Sequence, residues 1–112
     1  MRVGSAHEDR AAEYLLSLGW TVVTRRFSAR HGELDIVALD GDDLVFIEVK
    51  YRKNGFPEQT ISREKINRLY RAAREYLAYI EEPEREFRFD VIAMDAQGLR
   101  HHRHTFQDLV DL

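Results

Sequence analysis

The sequence predicts an α/β domain with a three-layer mixed sheet flanked by helices, in the order α-β-β-β-α-β. Three observations predict it. Two segments carry apolar residues at three-and-four spacing, four short runs between and after them are rich in β-branched and aromatic residues, and neither proline, Pro57 or Pro83, sits inside a periodic segment. The 112 residues, 44% of them hydrophobic, suffice for one compact core, so residues 1–112 are read as a single domain.

The first helix is expected over residues 5–18. Ser5-Ala6-His7-Glu8 has the form of a capping box, Ala11, Ala12, Leu15 and Leu18 follow at helical spacing, and Gly19 ends the run. Residues 20–27 read as a first strand and residues 32–40 as a second, with Ser28-Ala29-Arg30-His31 between them. The turn signal Asp40-Gly41-Asp42-Asp43 leads into a third strand over residues 44–52. Residues 53–59 form a loop, and Thr60 or Ser62 can cap a long helix whose buried stripe is Ile66, Leu69, Tyr70, Ala73, Tyr76, Leu77 and Ile80. Its other faces carry Arg63, Lys65, Arg68, Arg71 and Arg74. A fourth strand is expected over residues 87–95, a short strand after Gln97-Gly98 reaching His104, and a last short helix over residues 105–112.

No apolar run approaches the roughly 18–20 residues that a membrane span requires, and no apolar leader follows Met1-Arg2-Val3. With no cysteine, disulfides, thiolate catalysis and cysteine zinc sites are excluded, and a cytoplasmic setting is expected. The net charge of −3 hides an asymmetry: residues 33–48 hold six acids and no base, whereas residues 50–74 hold eight bases against Glu58 and Glu64. Acids that gather a divalent cation beside bases that hold a phosphate backbone would be distributed in this way, as would a solvated patchwork surface.

The hairpin of residues 32–52 decides between these. Strand alternation puts Leu44, Phe46, Glu48, Lys50 and Arg52 on one face and Val45, Ile47, Val49 and Tyr51 on the other. If Gly41-Asp42 is a two-residue loop, Asp40 pairs with Asp43, Leu39 with Leu44, Val37 with Phe46, Asp35 with Glu48 and Glu33 with Lys50. Two opposed carboxylates with Cβ atoms about 5 Å apart repel by roughly 3 kcal/mol at an effective dielectric near 20. A shared proton, a neighbouring cation such as Lys50, or a divalent metal would relieve this. The metal accounts for most: Asp35 and Glu48 would hold Mg²⁺ or Mn²⁺, with the Val49 carbonyl as a further donor, and Lys50 would face the reacting water and phosphate. The alternative, outward-facing strand charges, is weakened by the apolar composition of both faces around them.

Gly32-Glu33-Leu34-Asp35-Ile36-Val37, then twelve residues between Asp35 and Glu48, then Phe46-Ile47-Glu48-Val49-Lys50-Tyr51-Arg52, resemble the YraN family of bacterial proteins. That family resembles the PD-(D/E)xK nucleases and, among them, the archaeal Holliday-junction resolvases. Gly4, Glu8, Gly19, Lys65, Ala73 and Arg88-Phe89-Asp90-Val91 extend the likeness over nearly the whole chain. The resemblance implies a restriction-endonuclease-like fold and metal-dependent phosphodiester cleavage, with Asp35, Glu48 and Lys50 as active-site residues and Glu8 as the helix-one glutamate that joins them. Leu34 replaces the proline of the superfamily name, Arg26 stands where asparagine is usual, and Tyr51 where a small polar residue is usual.

The expected function is therefore a Mg²⁺- or Mn²⁺-dependent endonuclease acting on DNA, with branched or damaged structures as the substrate. Arg52, Arg63, Lys65, Arg68 and Arg71 are its expected phosphate contacts, and a homodimer would enlarge the small footprint of one chain. The competing readings are a non-catalytic nucleic-acid-binding or assembly module on the same fold, and a structural protein whose paired acids share a proton. His101, His102 and His104 read as a polar surface strand without acidic neighbours rather than a metal site. His7 and His31 lie near the hairpin without a clear role as a base, Gln59 opens the segment before the long helix, and Asp90 should pair with a local arginine.

Overall fold

The computed structural model describes residues 6–106, with Gln59 and Thr60 described by backbone alone. The capping role of Ser5, the place of Gly4 and the helix expected over residues 105–112 therefore fall wholly or in part outside the described residues. The elements are α1 (Ala6–Ser17), β1 (Thr21–Ser28), β2 (Glu33–Asp40), β3 (Asp43–Tyr51), a 3₁₀ turn (Pro57–Thr60), α2 (Arg63–Tyr79), β4 (Phe87–Asp95) and β5 (Gly98–His102). The expected order is reproduced, with boundaries shifted by a residue or two. Two details differ: the segment read as a plain loop contains the 3₁₀ turn, and β5 stops at His102 because His104 has a positive φ of 54°.

The five strands lie in sequence order in one sheet. β3 and β4 are parallel, and the other pairs are antiparallel. A parallel neighbour needs a crossover, and α2 supplies it. On one face α2 packs Ile66, Leu69, Ala73, Tyr76 and Leu77 against Leu44, Phe46, Phe89 and Val91. On the other, α1 packs Ala11, Ala12 and Leu15 against Ile36, Val45, Ile47 and Ile92. Leu44 and Phe46 thus lie under one helix and Val45 and Ile47 under the other, as alternation requires.

The β2–β3 register is the predicted one: Ile36 pairs with Ile47, Val37 with Phe46, Leu39 with Leu44 and Asp40 with Asp43. Gly41 turns the chain at φ +61°, while Asp42 keeps a negative φ, which is the pattern of a type II′ hairpin. At its other end the hairpin departs from regular pairing. The β2–β3 pairing begins at Ile36, and in the β1–β2 ladder Arg25 pairs with Ile36 and Phe27 with Leu34, passing over Arg26 and Asp35. Arg26 has φ +57°. Leu34 then joins Val37 in the core under α2, although an odd step of three positions would put them on opposite faces of a regular strand. The sheet is locally irregular at Asp35: Glu33 still pairs with Ser28 of β1, but the expected pairings of Asp35 with Glu48 and Glu33 with Lys50 are missing from the β2–β3 ladder.

Candidate metal centre and its surroundings

Asp35 does not pair through its backbone but through its carboxylate. Its Oδ2 accepts a 2.9 Å hydrogen bond from the Val49 N–H, a donor that continued β2–β3 pairing would otherwise engage. This places the carboxylate beside that of Glu48, close enough for the two to interact. Burial first, then the side-chain contact with Glu48 and the Glu48 charge, push the Asp35 carboxyl from 3.8 up to about 8; the Val49 N–H and Lys65 oppose the shift without cancelling it.

Glu48 is 3% exposed, and its Oε2 is buried without a hydrogen-bond partner. Its nearest cations are Lys65 Nζ at 3.5 Å and Lys50 Nζ at 4.0 Å. At these separations the contacts are Coulombic and leave the oxygen unsatisfied. A buried acceptor in that condition is costly, and a hard cation taking oxygen ligands is what the donor set fits. Among the described residues no group of three or more His, Cys, Asp or Glu side chains could hold a metal. The protein thus offers two carboxylates, and water and substrate oxygens would complete the shell, as is usual for Mg²⁺.

Glu8 lies on the buried side of α1 with Ala11, Ala12 and Leu15. Its carboxylate takes Arg26 Nε at 3.0 Å and stands 3.7 Å from Arg25, which also holds Asp9 at 2.6 Å. Glu8 is thereby tied to the residue of β1 that stands beside Asp35 in sequence register. His7 packs its ring on Tyr51, with centroids 3.7 Å apart. Of the expected phosphate contacts, Arg52, Arg63, Arg68 and Arg71 are exposed, whereas Lys65 is half-buried and turned to Glu48. A Cβ at Gly32 would lie 3.6 Å from the Arg68 carbonyl oxygen, so Arg68 sits against the start of β2, close in sequence to Asp35.

The expectation for the histidines is corrected. Their acidic neighbours come from elsewhere in the chain: His101 Nε2 is 2.8 Å from Asp90 and its Nδ1 3.0 Å from the Tyr14 hydroxyl, while His102 Nε2 is 2.8 Å from Glu58. Asp90, fully buried, also accepts from Arg88 Nε, the expected local arginine, and from the His104 N–H, both at 3.1 Å. Burial alone would raise the Asp90 carboxyl; the bonds from His101, Arg88 and His104 outweigh it and hold the group below its usual value. Arg100 grips Glu58 through two bonds of 2.8 and 3.0 Å, and this, with His102, pulls the Glu58 carboxyl down to about 2. The pair pins the 3₁₀ turn to β5. A cavity of about 470 Å³ opens near the start of β3 and β4, lined by Arg85, Arg88 and His104 among others. Its arginines already serve Glu82, Asp40, Asp43 and Asp90, so it does not rival the carboxylate pair.

A mixed sheet between two helices, with acids on the central hairpin and a lysine two residues beyond, defines a restriction-endonuclease-like α/β domain. The solved structure of Hjc, a Holliday junction resolvase from Archaeoglobus fulgidus, has this fold: it superposes with a TM-score of 0.60 over 92% of this chain and 78% of that one, at 18% identity. The chain belongs to the uncharacterised protein family UPF0102, whose model matches residues 7–94. UPF0102 proteins of Vibrio cholerae and Chlorobium limicola are 42% identical over 100 residues and 39% identical over 104, spanning 85% and 90% of this chain and 82% and 81% of theirs. A relative from Lachnoclostridium phytofermentans is 40% identical over 107 residues, covering 92% of this chain and 91% of its own. Among the described residues no helix is long and apolar enough to cross a membrane.

Proposed function

We propose that the protein is a divalent-metal-dependent nuclease that hydrolyses phosphodiester bonds of DNA, with branched or damaged DNA as substrate. The observation that carries the proposal is the pairing of half-buried Asp35 with buried Glu48, whose Oε2 lacks a hydrogen bond, while the Asp35 carboxyl is raised to about 8. Perturbed acids facing basic groups are characteristic of sites that do chemistry. A bound Mg²⁺ or Mn²⁺ would supply a more acidic water and neutralise charge developing on the phosphate.

The chain's own residues would do the rest. Asp35 and Glu48 hold the ion, with Asp35 fixed by the Val49 N–H. Lys50, carried two residues beyond Glu48, directs its ammonium to the scissile phosphate and orients the attacking water. Glu8 steadies the site through Arg26, and its role is one of positioning. Arg52, Arg63, Arg68 and Arg71 hold the phosphate backbone on either side. The absence of cysteine suits a cytoplasmic enzyme, and a second copy of the chain would give a junction two equivalent sites.

Calorimetric titration with Mn²⁺, with and without a non-cleavable branched DNA, tests the site. Wild type should bind, and Asp35→Asn and Glu48→Gln should each lose binding. Cleavage of flaps and junctions should then fall by about a hundredfold or more in Lys50→Ala. If wild type binds no metal even with DNA present, the nuclease reading fails, and salt-sensitive DNA binding would instead mark a non-catalytic binding module.

A further inference from the structure

Lys65 is the residue whose placement the nuclease reading leaves unexplained. It sits in the first turn of α2, where Ser62 Oγ accepts its backbone N–H at 3.1 Å. The N-terminal turn of a helix favours acids, and a cation there is opposed by the helix dipole. Instead of turning to solvent with Arg63 and Arg68, its side chain reaches the sheet and stops 3.5 Å from Glu48 Oε2. That oxygen belongs to a side chain only 2% exposed and has no hydrogen bond. The lysine therefore accepts an unfavourable helix position in order to neutralise a buried charge, and it does so through a loose contact that satisfies no hydrogen bond.

A metal held by Glu48 would need Oε2 at about 2.0–2.6 Å. The same oxygen then could not keep an ammonium 3.5 Å away on its open side without strong repulsion between the two cations. Lysine suits an exchange of this kind, because its charge is a point on a flexible four-carbon stem, and at 32% side-chain exposure Lys65 has solvent to move into. Resting on the metal-site reading, we infer that Lys65 is the resident counter-ion of Glu48, occupying the cation position in the metal-free protein and leaving it when a divalent ion binds. Metal affinity is thus set by competition with a side chain of the protein itself, and Lys65 regulates loading of the site rather than serving as one more phosphate contact.

The test is Mn²⁺ titration of the DNA-free protein by calorimetry, together with the rise in unfolding temperature that Mn²⁺ produces. Lys65→Met should bind Mn²⁺ roughly tenfold more tightly than wild type and show the larger Mn²⁺-induced rise, although it is less stable without metal. Lys65→Gln serves the same purpose if the methionine variant does not fold. Lys65→Arg, which keeps the charge, should stay near wild type. Arg74→Ala, which removes a charge nine residues further along α2, should change affinity less than twofold, being beyond the screening length. If wild type binds Mn²⁺ and Lys65→Met or Lys65→Gln binds it no more tightly, the counter-ion role is overturned while the metal site stands. The titration is repeated with the non-cleavable branched DNA, and if neither wild type nor these variants binds in either condition, the metal site itself is overturned and the inference with it.

Discussion

Asparagine at position 35 should stabilise the metal-free protein, and do so increasingly as pH rises. The Asp35 carboxyl moves from 3.8 to about 8 on folding. The unfolded chain loses that proton near pH 4, whereas the folded protein keeps it until near pH 8. Between these values the folded state holds more protons, so this group lowers stability as pH climbs from 4 to 8, and the loss is complete above 8. Repulsion from Glu48 alone, for carboxylates about 5 Å apart, amounts to about 3 kcal/mol at an effective dielectric near 20. Asparagine keeps an oxygen for the Val49 N–H, offers an NH₂ to Glu48, and has no proton to lose. Urea unfolding in EDTA, followed by far-ultraviolet circular dichroism, should find Asp35→Asn close to wild type at pH 4, where the unfolded carboxyl has only begun to lose its proton. At pH 9 it should be more stable by at least about 3 kcal/mol, a rise in unfolding temperature on the order of 10 °C. A difference that stays constant from pH 4 to 9, or a variant less stable than wild type at pH 9, would refute the reasoning.

Two further substitutions probe what surrounds the site. Arg26, at φ +57° and paired with Glu8, combines a strained backbone with a useful side chain; both Arg26→Asn and Arg26→Val lose the ion pair, but asparagine tolerates the left-handed region and valine does not, so chemical unfolding should find the asparagine variant more stable by about 1 kcal/mol or more. Asp90→Ala would leave Arg88 and His101 facing a vacated, buried acceptor, and should cost about 3–5 kcal/mol at pH 7. Because the folded value of Asp90 is depressed, its contribution is present above its ordinary value of 3.8 and fades as pH falls through the lower folded value; the gap between variant and wild type in acid-unfolding curves should narrow there.

How much could be read from sequence follows the range of the interactions. The α2 stripe and the alternation of β3 are local, and they placed Glu48 and Lys50 on the correct face. The hairpin register needed only Gly41 and a match of apolar partners, and it brought Asp35 to Glu48 across twelve intervening residues. The irregularity at Asp35 was not legible, because it depends on the left-handed backbone of Arg26 in a neighbouring strand. The one available signal was the asparagine usual at that position in the YraN family, a residue that adopts this conformation readily. The His101–Asp90 contact was within reach: the turn at Ala96-Gln97 pairs Asp95 with Gly98 and His101 with Ile92, which sets His101 diagonal to Asp90. The Glu58–Arg100 clamp joins residues 42 apart through two loops, and no local pattern announces it.

Two aspartates of the sheet, Asp90 buried and Asp35 half-buried, make the functional proposal a physical one. Asp90 and Asp35 are the same residue, each taken from water, each in a strand. Asp90 receives Arg88, His101 and the His104 N–H, and its carboxyl falls below the usual value. Asp35 receives a single N–H and a second carboxylate, and its carboxyl rises to about 8. A group whose surroundings satisfy it stabilises the fold, and replacing it with an apolar residue weakens the protein. A group whose surroundings oppose its charge makes the fold less stable, and selection for stability alone would have removed it in favour of an amide. Here the sequence keeps both acids of the opposed pair, keeps Glu48 buried with an unsatisfied oxygen, and brings Lys65 across from α2 to balance it. On the proposed metal-site reading that cost has a return when a divalent cation arrives, and it makes the carboxylate pair, rather than the better-bonded cluster around Asp90, the place to test for chemistry.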